Sequence, residues 1–145
     1  MLVCRTLGDL NMSNKTPAPT QNTFSIAIDD GPSNRFFYAT GHVVRGYLNL
    51  TGTDDNLEAH IYQLELQLDP TIPRGQYTLH SPEVSGRVFI ATGIVNRMYL
   101  TRILQLDIED NLNNRIAATY YIEADETQGG TGRIKLQGDL DIQYT

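Results

Sequence analysis

Four acidic stretches are the first places in this sequence with an evident chemical use. Asp29-Asp30, Asp54-Asp55-Asn56, Glu109-Asp110-Asn111 and Glu123 with Asp125 and Glu126 gather oxygen donors. Hard cations such as calcium take about six to eight oxygens from flexible loops. None of the four has the spaced acidic pattern with a central glycine that marks an EF-hand loop. Asp and Asn also favour turns because they hydrogen-bond their own backbone and tolerate the left-handed region. Turn chemistry is the expected role, and the Glu123–Glu126 stretch is the best calcium candidate; whether any metal binds is unknown from sequence.

The histidines, His42, His60 and His80, are spaced too widely to point to zinc without help from the fold. Ser25, Ser33, Ser81 and Ser85 are the serines of the body, and none sits in a nucleophile elbow. Glu65, Glu109 and Glu123 are carboxylates of the kind that hydrolyse glycosides in pairs, but nothing singles them out. Gly129-Gly130-Thr131-Gly132 is glycine-rich, yet it reads as a turn between strands. The helix N-terminus that cradles a phosphate is missing there. No cofactor is implied, and the balance is against an enzyme.

The eight tyrosines carry more. Tyr38, Tyr47, Tyr62, Tyr77, Tyr99, Tyr120, Tyr121 and Tyr144 all fall on or beside predicted strands, where tyrosine packs its ring and wets its hydroxyl. Tyr120 and Tyr121 are neighbours, so only one of them faces inward. Tyr99 and Tyr121 oppose the apolar phase of their strands. If those strands pair, the two rings share a face with Arg97 and Arg133. Aromatic and arginine side chains are what binding surfaces are enriched in. Arg97, Tyr99, Tyr121 and Arg133 are therefore the predicted ligand-binding residues.

The elements that hold these residues are strands. The chain has 145 residues, 40% hydrophobic and 19% charged, enough for one domain with its own core. Residues 1–22, with Pro17 and Pro19 among small polar residues, read as a flexible arm carrying the single cysteine, Cys4. Met12 is an alternative start. Residues 23–145 read as an all-β domain.

Phe24, Ile26 and Ile28 alternate before the Asp29-Asp30-Gly31-Pro32 turn. Arg35–Leu50 reads as two short strands or one bent strand. Residues 57–69 fit a helix or a strand; the alternation of Leu64, Leu66 and Leu68 favours a strand, with a bulge near Ile61–Tyr62. Pro70–Gly75 is a loop, and Gln76–His80 a short strand showing Tyr77 and Leu79 on one face. Val88 and Ile90 against Phe89 and Ala91 suggest a strand covered on both faces. Met98, Leu100, Leu104, Leu106 and Ile108 share one phase, with Arg102 the exception, read as a strand-end residue or a buried ion-pair member. Glu109–Asn114 forms a hairpin connection. Ile116, Ala118, Tyr120, Ile122 and Ala124 make the return strand. After the Thr127–Gly132 turn, Ile134, Leu136, Leu140, Ile142 and Tyr144 make the last. Gly138 falls on its apolar face and marks a bend or a close approach. The fold class is all-β: an antiparallel β-sandwich or closed β-barrel of about eight to ten strands, ending in a three-strand meander.

Charge narrows the function. The formal net charge is −6, which disfavours nucleic acid. Residues 70–104 hold four arginines against Glu83, whereas residues 105–145 hold eight acids against three bases. That asymmetry suits docking between copies or to a charged partner. No apolar run is long enough to span a bilayer, and tryptophan, the preferred interfacial residue, is absent. The leading expectation is a non-enzymatic binding module for a carbohydrate-like or protein ligand. An assembly subunit of a homo-oligomer or particle is the alternative, and a membrane-acting toxin component is third. Compartment is not legible.

Overall fold

The computed structural model describes residues 21–56, 59–92, 99–127 and 131–145, the side chains of 85–87 excepted. Ten strands run in chain order: β1 (Thr23–Ile28), β2 (Asn34–Arg35), β3 (Tyr38–Val44), β4 (Tyr47–Thr53), β5 (Ile61–Leu68), β6 (Gly75–Thr78), β7 (Val84–Thr92), β8 (Tyr99–Leu112), β9 (Arg115–Glu126) and β10 (Arg133–Gln143). They form two antiparallel sheets, ordered β2-β1-β10-β9-β8-β6 and β3-β4-β5-β7. The sheets pack face to face as a β-sandwich. The closed barrel is the alternative that the fold rejects, because each sheet keeps two terminal strands. The first twenty residues, with the predicted arm and Cys4, lie outside the described residues.

Alternation builds both layers. Leu48 and Leu50 of β4 and Leu64, Leu66 and Leu68 of β5 point inward from the four-stranded sheet. They meet Leu104, Leu106 and Ile108 of β8, Ile116 and Ile122 of β9, and Leu136 and Leu140 of β10 in one core. Each such side chain contributes about 1.5–3 kcal/mol on burial. Residues 61–68 are strand, and their register slips between Ile61 and Gln63, where the bulge was expected. Two hairpins turn on left-handed pairs, Arg45-Gly46 (φ 54° and 83°) and Asn113-Asn114 (φ 55° and 59°). Such pairs match the twist of the strands they join.

Three readings need correction. The hairpin after β8 is not a long connection from Glu109 to Asn114, because β8 runs on to Leu112 and the turn is the two asparagines alone. Phe89 of β7 is 50% exposed, so this strand is covered on one face only. The single phase from Met98 to Ile108 also fails. Thr101 pairs with Ala124 and Ile103 with Glu123, so one extra residue, Arg102, is inserted as a bulge. Beyond it the faces exchange. Leu100 is 69% exposed and Tyr99 packs against the core.

One side of the sandwich is stitched. Val43 N–H donates to the Thr145 carbonyl at 2.8 Å and Thr145 N–H to the Gly41 carbonyl at 3.1 Å. Asn22 donates to the Ala39 carbonyl at 3.2 Å and accepts from Gln143 N–H at 2.9 Å.

Candidate functional site

The outer face of the six-stranded sheet holds two of the four predicted ligand residues. Tyr121 lies in the middle of β9, with Gln105 of β8 and Gln137 of β10 directly opposite it on either side. Arg133 faces Asp125, four residues further along that ladder. At about 3.3 Å per residue this places it roughly 13 Å from Tyr121. Tyr99 is on the other face, turned inward by the bulge at Arg102, so it does not join them. Arg97 lies outside the described residues. The shared face of Tyr99 and Tyr121 is therefore corrected: a one-residue insertion exchanges the two sides of a strand.

Between Tyr121 and Arg133 lies an ionic lattice. Arg102 Nη2 pairs with Glu123 Oε1 at 2.9 Å, and its Nε with Asp125 Oδ2 at 3.1 Å. Asp125 Oδ1 lies in ion-pair distance of Arg133 Nε at 3.3 Å. Arg102 is thus an exposed member of a charge network, not a buried one. The best calcium candidate, Glu123 to Glu126, is the end of β9, and its Glu123 and Asp125 carboxylates are held by arginines. Among the described residues no group of three His, Cys, Asp or Glu side chains is placed to hold a metal ion. His42, His60 and His80 stand on β3, before β5 and after β6.

The lattice also fixes Tyr121. Its hydroxyl donates to Glu123 Oε2 at 2.6 Å. That bond and the Arg102 guanidinium hold the Glu123 carboxyl below its ordinary value. The same bond raises the Tyr121 phenol, with desolvation adding to it. Glu123 thus stays ionised and Tyr121 stays protonated across the neutral range.

On the far side of Tyr121 the surface is mostly amides and hydroxyls, with one carboxylate, Asp107. A concavity of about 450 Å³ is lined by Gln76, Thr78, Gln105, Asp107, Thr119 and Tyr121. β6 supplies Gln76 and Thr78, paired with Asp107 and Gln105 of β8. This short strand forms one wall, because it covers only Gln105–Ile108 in the middle of β8. Gln76, Gln105 and Asp107 were not singled out from the sequence. For Gln105 and Asp107 the signal was alternation with Leu104, Leu106 and Ile108, and for Gln76 alternation with Tyr77; that all three share a concavity with Tyr121 depends on register.

Compared with protein-family models, with curated proteins and with solved structures, the chain matches none.

Proposed function

We propose that the chain is a non-enzymatic binding module that takes a carbohydrate on the outer face of its six-stranded sheet. The observation that carries this is Tyr121 tethered at its hydroxyl, flanked by Gln105 and Gln137 across the ladder, with Gln76 and Asp107 lining the same concavity. A sugar offers apolar C–H groups on one ring face and hydroxyls around the rim. An aromatic ring meets the first, and amides, with a donor and an acceptor on one rigid fork, meet the second. A tethered ring loses little freedom on binding. The surroundings favour a polar ligand over a protein. A protein interface wants an apolar centre, whereas Tyr121 is surrounded by polar side chains. Arg102 and Arg133, already engaged by carboxylates, border the site.

The test is an NMR titration of the full chain with soluble glucose, galactose and N-acetylglucosamine oligomers. One of these series is expected to shift the backbone amides of Gln105, Thr119, Tyr121 and Gln137, and Tyr121→Ala to abolish the shifts. Shifts confined to another face, or survival of binding in Tyr121→Ala, would overturn the proposal.

Self-assembly is a second reading with its own observation. β7 is the terminal strand of the four-stranded sheet, Phe89 on it is half exposed, and exposed sheet edges invite pairing with another chain. Light scattering at low and high salt decides it; a monomer at both removes it.

A further inference from the structure

A second cavity lies outside that surface. It sits between the sheets, bounded by β1 on one side and the start of β5 on the other, and has a volume of about 410 Å³. Its inner wall is apolar. Ile26 and Ile61 are buried, and Ile28 packs against the core while half open. Its rim is polar, with Arg35 from β2, His60 from the approach to β5, and Asp54 after β4.

The carboxylates of this region are engaged elsewhere. Asp29 and Asp30, in the turn that follows β1, are directed away. Asp29 Oδ1 accepts the Lys135 amide at 2.8 Å, and Asp30 Oδ2 pairs with Lys135 Nζ at 3.6 Å. Asp54 Oδ1 accepts the Asn56 amide at 3.0 Å. The side chains of Arg35 and His60 have no hydrogen-bond or ion-pair partner among the described residues. An apolar wall beneath two unengaged nitrogen groups complements a molecule with an apolar body and a negative head. The volume falls in the range of small-ligand pockets, and a guanidinium binds a planar oxyanion with two parallel bonds.

We propose that this cleft binds a small amphiphilic anion, a carboxylate or sulfonate on a short apolar chain or ring. The apolar part rests on Ile26, Ile28 and Ile61, and the head meets Arg35 and His60. The ligand class differs from the sugar proposed for the Tyr121 face, so either site can fail alone.

The test titrates the full chain with octanoate, octylamine and 1-octanol, followed by backbone-amide NMR. Octanoate is expected to shift Ile28, Arg35, His60 and Ile61, octylamine to leave them in place, and 1-octanol to bind more weakly. Arg35 is exposed on a two-residue terminal strand, so Arg35→Gln is expected to fold and to weaken octanoate by about tenfold, the loss of one charge-assisted contact. Arg35→Lys is expected to keep part of the affinity. The proposal falls if octanoate moves none of these amides, if octylamine or 1-octanol binds as well as octanoate, or if Arg35→Gln binds octanoate like the parent chain.

Discussion

Tyr120 and Tyr121 are consecutive residues on β9, and the two faces of the six-stranded sheet treat them oppositely. Tyr120 is 4% exposed. Its ring meets Phe24 edge to face at 5.7 Å, and its hydroxyl donates to the Ser25 carbonyl at 2.8 Å. That bond mends a gap in the ladder. β1 and β10 pair at Phe24–Leu140 and Ala27–Gln137, and the two positions between are not paired. Ser25 Oγ fills part of the gap by accepting Asp139 N–H at 2.9 Å. Tyr121 spends its hydroxyl on a charged neighbour and leaves its surroundings open. The comparison teaches that one residue type serves as a structural bolt or a binding platform according to which face the alternation gives it.

The largest expected effect tests the inner face. A Cβ at Gly138 meets the Ser25 backbone well inside contact distance. Gly138→Ala is therefore expected to cost about 3 kcal/mol, measured as a lower midpoint in urea. An unchanged midpoint would show that the gap between β1 and β10 has room to spare.

Tyr120→Phe comes next. It leaves the Ser25 carbonyl without its donor, at about 1.5 kcal/mol, whereas Tyr121→Phe is expected to leave the urea midpoint near that of the parent. The inner tyrosine also has a pH signature. Burial pushes its phenol up from the ordinary 10.0, with Asp139 adding to the rise. Above pH 10 the unfolded chain releases a proton that the folded chain keeps, so stability falls as pH climbs past that value. Tyr120→Phe is expected to shallow that alkaline decline, and denaturant curves between pH 9 and 11 measure it.

Tyr121→Ala sharpens the contrast from the other side. It is expected to remove saccharide binding while leaving the thermal midpoint nearly unchanged. A large loss of stability would make the outer tyrosine structural as well.

The smallest effect belongs to the ionic lattice. Glu123 titrates below its ordinary 4.5 in the folded state, through the Tyr121 hydroxyl and then Arg102. Its contribution is present above that ordinary value and is lost as pH falls through the folded one. Exposed pairs contribute little, so Glu123→Gln is expected to flatten the acid limb slightly, and more at low salt than at high. An acid limb identical to the parent's at low salt would remove the lattice from the stability account.

Much of this was legible in the chain. The opposed fates of Tyr120 and Tyr121 follow from adjacency on an alternating strand. Gly138 on an apolar face signalled a close approach, and the approaching backbone is Ser25 from more than a hundred residues away. Tyr99 was misplaced because a bulge leaves almost no local mark. Arg102 interrupting an apolar phase was that mark, and it reads equally well as a strand end or an ion pair. Gln76 and Gln105 were overlooked for another reason. An exposed glutamine on a strand is ordinary until the neighbour opposite it is known.

By itself the sequence determined what alternation and turn chemistry determine: an all-β chain, the inward residues of most strands, and a terminal meander. These are local, since consecutive side chains on a strand point to opposite faces and left-handed turns favour Asn and Gly. Only the tertiary structure decided that the sheets stay open as a sandwich, that β6 leaves its sequence neighbours to pair with β8, and that Tyr121 lies beside amides while Tyr99 faces the core. Those outcomes depend on register between distant strands. Register is set by how the whole core packs, and a one-residue slip changes every neighbour on a face.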